Sequence, residues 1–386
     1  MRKLGLALII TLAAAAAGSP AALAAHSVRP PSQVIDLTAA PGALASKLDG
    51  ALTQASKAWP GRTFWIGYSI ERLQGEHSSI GTTFGDRIVR PTIAEILAGK
   101  GASAASGAAS GDLRAAAADA LNRLERRGRP EKQVLKELGF FLKYEPGKSA
   151  GPSHVGMSNL DLSFDFEEVP LYWLGRMPED QSLGLLSDLY GRDRNGKVRE
   201  GLIAAVGCHG TPRLVLPILE EVLKGADPDD LRKDAAFWIG QQNDPAGLRV
   251  LSEAARSDRS EEVREGAVFA ISEVELDGAV DELIALARGA EKRDVRKQAV
   301  FWLSQLASKR SGGVLEEIAA GDADLEIQEQ ALFALSELPN NDGLEALIRL
   351  AKTHRDARIR KKAVFWLGES NDPRALEAIV AIVKGK

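Results

Sequence analysis

An all-α solenoid of stacked helical hairpins, preceded by a small α+β region, is predicted by three observations: a repeat period, a helical apolar pattern inside it, and a break in composition ahead of it. From about residue 166 the chain repeats every 32 or 33 residues, on a frame starting at Phe166, Val198, Leu231, Val263, Val295, Ile327 and Ile359. The aligned segments read FEEVPLYWLG, VREGLIAAVG, LRKDAAFWIG, VREGAVFAIS, VRKQAVFWLS, IQEQALFALS and IRKKAVFWLG. A fixed period of this size marks a solenoid, in which no repeat buries its apolar face alone and neighbours stack to make the core. Function then belongs to a long surface rather than to a pocket.

The first residues read as a secretory signal peptide over 1–24: Arg2 and Lys3 precede an apolar run from Leu4 to about Ala17, and Ala22-Leu23-Ala24 supplies the cleavage site. The run is too short to cross about 30 Å of hydrocarbon before Gly18-Ser19-Pro20 interrupts it. Export to a periplasmic or extracellular location is the expectation, with no integral membrane segment left after cleavage. Loss of Arg2 and Lys3 takes the formal charge from −4 to −6, and a mildly acidic surface offers no basic stripe for a nucleic-acid backbone. Cys208 is the single cysteine, so no intramolecular disulfide can form.

Residues 25–98 are expected to form a small α+β domain. ALASKLDGALTQASKA, residues 43–58, has the spacing of an amphipathic helix, and RTFWIGYSI, residues 62–70, sets Phe64, Ile66, Tyr68 and Ile70 on one face at period two, as a strand does. Ser79–Gly85 is its expected antiparallel partner, and Thr92–Ala98 a short helix. The composition of 99–111 is that of a flexible linker. Residues 112–165 read as a helical cap and connecting segment: Leu113–Leu124 resembles a degenerate first helix, Glu131–Tyr144 continues as a second, Gly147–Gly156 is a loop, and Leu160, Leu162, Phe164 and Phe166 alternate as an extended lead-in. Seven repeats then fill 166–386. Each first helix has apolar residues at frame positions 1, 5, 6 and 9. The second helices open on Asn243-Asp244-Pro245 or Asn371-Asp372-Pro373, an Asp N-cap followed by Pro at the first helical position.

The VRxxA opening, the Gly-tipped end, the NDPxALxxI turn and the 32-residue step together resemble the short HEAT-like repeat of phycobilin lyase subunits. With a signal peptide, the FWLG and FWIG versions resemble secreted bacterial HEAT-repeat proteins. The ankyrin TPLHxA signature is missing, and the tetratricopeptide pattern fails because Trp and Leu are adjacent here. The resemblance implies binding and scaffolding and names no ligand.

Three columns run through the frame. Position 2 is Arg199, Arg232, Arg264, Arg296 and Arg360, and an acid often precedes the frame, as Asp230, Glu262, Asp294 and Glu326 do. An Arg-to-carboxylate ladder between adjacent repeats is the expected arrangement. Position 7 is Tyr172, Phe237, Phe269, Phe301, Phe333 and Phe365, broken by Ala204. At 100° per residue it points about 160° away from positions 5 and 9. Its rings are either tucked between helices as core or aligned as a surface for a partner. Position 8 alternates Trp173, Ala205, Trp238, Ala270, Trp302, Ala334 and Trp366, while from the second repeat Lys233, Lys297 and Lys361 stand at position 3 of the Trp repeats. Alternating volumes fill space between helices.

The partner-binding surface expected from these columns comprises Tyr172, Phe237, Phe269, Phe301, Phe333 and Phe365 with Lys233, Lys297 and Lys361, and the partner is a protein or peptide of the cell envelope. No cofactor, metal or catalytic residue is assigned. The five histidines are scattered and form no His-Glu pair, unlike the HEAT-like di-iron hydroxylases of the deoxyhypusine type. Cys208 reads as a small buried residue. Two further readings remain: a chaperone or lyase-like factor that loads a cofactor, on repeat resemblance alone, and a hydrolase seated in the amino-terminal domain around Glu71, Glu76, His77 and Asp86.

Overall fold

The structure is a computed structural model that describes residues 28–76, 78–81, 91–99, 132–147, 151–306 and 309–384. The expected signal peptide, nearly all of the linker, the Leu113–Leu124 helix, His77 and Asp86 lie outside the described residues. The chain divides into two compact units, Met1–Val215 and Leu216–Lys386.

The amino-terminal unit is built on a five-stranded mixed sheet. Its strands are β1 (Val34–Asp36), β2 (Phe64–Gly75), β3 (Gln133–Tyr144), β4 (His154–Asn159) and β5 (Leu171–Arg176), in the order β1-β5-β2-β3-β4. Strand β5 runs parallel to β1 and β2, while β2–β3 and β3–β4 are antiparallel. Helices α1 (Leu44–Ala58), α2 (Ile93–Leu97), α3 (Glu179–Arg192) and α4 (Gly196–Gly207) accompany it. Helix α1 falls where its apolar spacing places it, burying Leu44, Leu48, Ala51 and Ala55. Helix α2 starts at a capping box, in which Thr92 Oγ1 accepts from the Glu95 amide and the Glu95 carboxylate from the Thr92 amide. On one sheet face Trp65, Phe141, Phe164, Phe166 and Trp173 share a core with Ile93 and Ile96 of α2. Gly67 and Gly139 make that packing possible, because a Cβ at either would stand 2.8 or 2.7 Å from the Phe141 ring.

Three sequence expectations are corrected here. Residues 133–144 form strand β3, not a second cap helix, and pair along their full length with β2 from Phe64↔Tyr144 to Gly75↔Gln133. That pairing takes the place expected for Ser79–Gly85, of which the described part, Ser79–Gly81, has no strand. Residues 154–156, expected as the end of a loop, belong to β4, and 160–166, expected as an extended lead-in, carry no strand. The first frame copy is likewise not helical: Glu167 and Glu168 adopt positive φ, and Leu171–Arg176 is strand β5, flanked by β1 and β2. The helical repeats therefore begin at the Val198 frame, one copy later than expected.

From there the pairs alternate regularly. Helix α5 spans Pro212–Lys224, and the first helices of the following repeats are α6 (Asp229–Gln241), α8 (Glu261–Glu273), α10 (Arg293–Gln305), α12 (Leu325–Ser336) and α14 (Ala357–Glu369). The second helices are α7 (Pro245–Ser257), α9 (Asp277–Gly289), α11 (Lys309–Gly321), α13 (Leu344–Thr353) and α15 (Pro373–Val383). From α6 and α7 onward each first helix packs on the next first helix and each second on the next second, giving two layers in the carboxy-terminal unit. Positions 1, 5, 6 and 9 are the core, as Val263, Ala267, Val268 and Ile271 show by their complete burial. Each such Val or Ile contributes roughly 1.5–3 kcal/mol by leaving water. Asp244 and Asp372 cap α7 and α15 by accepting from the amides of Ala246 at 2.7 Å and Arg374 at 3.0 Å, with Pro at the first helical position of both helices. Among the described residues no helix is long and apolar enough to cross a membrane.

Candidate functional site

The position 7 column lies on the first-helix layer of the carboxy-terminal unit, and its exposure is intermediate. Phe237, Phe269, Phe301 and Phe333 are half-buried, and Phe365 is 54% exposed. Each ring packs on one side and meets solvent on the other. Phe237 stacks on Phe269 with centroids 6.3 Å apart and planes 9° from parallel. Phe269 packs on Trp302 at 5.0 Å, and Phe333 on Trp366 at 5.2 Å, in each case a ring of one repeat against the indole of the next. Within Trp repeats the neighbours meet edge-on, Phe237–Trp238 at 5.4 Å, Phe301–Trp302 at 5.0 Å and Phe365–Trp366 at 5.0 Å.

The Trp/Ala alternation at position 8 explains this arrangement. Phe269 and Phe333 are followed by Ala270 and Ala334, whose small side chains leave room for the indole arriving from the next repeat. The rings are thus cross-repeat packing and surface at once. The indole N–H groups of Trp302 and Trp366 are buried without an acceptor among the described residues, an uncommon state for such a donor.

The lysines flank the column differently from one another. Lys233 is half-buried and paired with Asp230 at 3.0 Å and Glu262 at 3.3 Å, and the hydrogen bond to Asp230 is the main cause of its raised pKa. Lys297 is exposed and lies 3.9 Å from Glu326. Lys361 is exposed, and it is the adjacent Lys362 that reaches Glu329, at 3.7 Å. Ion pairs this open add little stability.

The position 2 arginines are structural, with a geometry that departs from the expected ladder. Arg232, 1% exposed, bonds to Asp258, to Asp229 at 3.2 Å and to the Leu223 carbonyl at 2.8 Å. Arg296 takes Asp322 at 3.1 Å. In both, the carboxylate follows the second helix of the same repeat. The equivalent position for Arg264 is Ala290, and Arg264 turns to Asp294 at 2.8 Å, a contact of the expected kind. Arg264, Gln328 and Arg360 also donate to the carbonyls of Asp258, Asp322 and His354, each six residues earlier at the end of a second helix. A cation there satisfies carbonyls that the helix leaves open and complements its dipole.

Tyr172 and Trp173 do not belong to the column. They sit in β5, where Tyr172 is 1% exposed and meets Phe64 edge-on at 5.9 Å, while Trp173 joins the core behind the sheet. Of the amino-terminal acids, Glu71 and Glu76 lie among the described residues, and they do not come together there. Glu71 on β2 is engaged by Arg176 of β5, which also lies 3.5 Å from Glu137, the cross-strand neighbour of Glu71; Glu76 is exposed.

One buried constellation carried no sequence signal. His209 Nδ1 lies 2.8 Å from the Ala205 carbonyl and Nε2 2.9 Å from Ser182 Oγ, which is itself 2.9 Å from the Tyr68 hydroxyl. Since the Ala205 oxygen can only accept, Nδ1 carries the proton, Nε2 accepts from Ser182, and Ser182 accepts from Tyr68. The imidazole also stacks on Phe140 at 5.0 Å. Burial pushes the His209 pKa down to about 4. The Ser-His geometry is that of a nucleophile and base, yet the serine and histidine are sealed from solvent, so the chain of bonds fixes α3 and the end of α4 to the sheet. Cys208 next to it is buried, with its thiol pushed up to about 12 by desolvation. Among the described residues no group of three or more His, Cys, Asp or Glu is placed to hold a metal.

The HEAT-repeat family model matches residues 216–304 and 312–386. No curated protein matches the chain. Among solved structures, human deoxyhypusine hydroxylase in complex with glycerol is 18% identical with a TM-score of 0.24, over 52% of this chain and 77% of that one. The complex of CpcE and CpcF of phycocyanin lyase from Nostoc is 19% identical with a TM-score of 0.31, over 40% and 97%. YibA of Escherichia coli is 20% identical with a TM-score of 0.32, over 53% and 76%. These likenesses are too distant to bear on activity. What the family match and the two helical layers establish is an α-solenoid of HEAT repeats over residues 216–304 and 312–386, in a chain that also has a small amino-terminal sheet region.

Proposed function

We propose that the chain is an exported scaffold whose first-helix layer presents the aromatic column to a protein or peptide of the cell envelope. The carrying observation is the half-open state of Phe237, Phe269, Phe301 and Phe333, with Phe365 open beyond them. A file of rings in register is costly to leave in water and gains by covering. Lys297 and Lys361 beside it supply orientation and a salt-dependent encounter rate rather than affinity. HEAT repeats commonly serve protein association, and the signal-like residues 1–24 support the envelope as its location. Cofactor loading and hydrolysis have no such observation behind them, and Glu71 is already engaged by Arg176.

Affinity purification of the tagged chain from envelope fractions tests this reading. The wild type is expected to retain a stoichiometric partner that Phe301→Asp combined with Phe365→Asp releases, with the helical circular dichroism unchanged. Retention by the double variant, or recovery of the chain alone in both cases, contradicts it.

A further inference from the structure

Helix α15 leaves open a face that is closed on the corresponding helix one period earlier. Leu376 is 66% exposed, whereas its counterpart on α13, Leu344, is 3% exposed. Val383 is 81% exposed, whereas Ala351 in the same frame position is buried; Val380 between them is 41% exposed. The α13 helix packs on both helices of the next repeat, more extensively on α14 than on α15. Another helix is therefore the shape that the α15 face fits.

The residues on that face point to which helix it is. Leu376, Val380 and Val383 are spaced i, i+4 and i+7, the seam of an antiparallel helix pair. A two-fold axis beside Val380 brings Leu376 of one copy level with Val383 of the other, within one residue's rise, and Val380 against its own equivalent. Glu377 and Lys384 follow Leu376 and Val383 on the same flank, seven residues apart, and both are exposed. In an antiparallel pair equivalent flanking positions face each other, so the same axis sets Glu377 of each copy alongside Lys384 of the other. A face whose apolar residues and charges are both complementary to themselves is an isologous interface.

We infer that α15 is a dimerisation helix, and that a second copy of this chain covers Leu376, Val380 and Val383 by packing its own α15 antiparallel across them. This interface is separate from the aromatic column, so either can fail without the other. The covered face is modest, and the pair is expected to dissociate in the micromolar range.

Sedimentation equilibrium on the purified full chain, up to about 100 μM, tests the inference. Wild type is expected as a monomer–dimer mixture. Val380→Glu, which sets two carboxylates against each other in an apolar seam, is expected to weaken dimerisation more than about 100-fold while leaving the helical spectrum unchanged. Glu377→Lys and Lys384→Glu each weaken it several-fold, and the double swap restores it, a pattern that a foreign partner would not produce. With Cys208 buried, Val380→Cys is expected to give a disulfide-linked dimer on oxidation. A wild type that stays monomeric, a dimer indifferent to Val380→Glu, or a double swap without rescue overturns the inference.

Discussion

His209 accepts a hydrogen bond from Ser182 at 2.9 Å through Nε2, inside the seal between the sheet and the first helices. Its ring must remain neutral to do so, and burial holds its pKa near 4. In the unfolded chain the group titrates near 6.5, so between about pH 6.5 and 4 the unfolded state binds more protons and stability falls as pH falls. The whole shift corresponds to about 3 kcal/mol. Urea titrations of wild type and His209→Leu at pH 7, 5.5 and 4.5 are expected to show a steeper acid loss in the wild type. Parallel slopes would contradict the assignment.

Arg232 and Lys233 are adjacent and carry the same charge, with opposite consequences expected. Arg232→Ala strands the nearly buried Asp258 and opens carbonyls at a helix end, for a loss of about 3–5 kcal/mol. Lys233→Ala removes surface pairs and is expected to change stability by less than about 0.5 kcal/mol. Thermal unfolding of the two variants checks the contrast.

Gly240 and Gly368 share frame position 10, and alanine at the two positions is expected to act in opposite directions. A Cβ at Gly240 would stand 2.8 Å from the backbone oxygen of Ala270 in the next first helix, while one at Gly368 meets nothing within 4 Å. Gly240→Ala is expected to cost about 1–3 kcal/mol by forcing two helices apart, and Gly368→Ala to gain about 0.5–1 kcal/mol from helix propensity. Calorimetry of the two single variants measures both signs.

Phe301 touches Trp302 while remaining half-exposed. Phe301→Ala is therefore expected to cost about 1–2 kcal/mol, below the 3–5 kcal/mol of a sealed core ring and above the 0.5 kcal/mol of a free surface residue. A value at either limit would return the column to plain core or plain surface.

The repeats were legible because their signal is local: positions 1, 5, 6 and 9, an Asp cap and a Pro lie within one hairpin. The sheet was not. LYWLG of β5 imitates FWLG of α14 almost residue for residue, and only pairing with Val34–Asp36 and Trp65–Ser69, more than 100 residues away, decides its conformation. A warning was nonetheless present, since Pro170 stands at frame position 5, where most other repeats have Ala, and a Pro there removes a donor from the helix interior. Strand β3 was misread because FFLKY is apolar on both faces, which blurs period two. Of the site, the column and its alternation could be read directly from the frame. The half-buried state of its rings could not, because it depends on how far each indole reaches across from the next repeat. The Tyr68–Ser182–His209 chain joins residues from three elements with no shared spacing.

The central claim is that the open side of the aromatic column receives a partner. A photoreactive phenylalanine analogue in place of Phe301, compared with the same analogue in place of Arg288 on the second-helix layer, tests it in intact cells. The account predicts a crosslinked adduct of one defined mass from position 301, repeated at 269 and 333, and none from 288. Equal labelling at 288, or no adduct from any of the column positions, would contradict it.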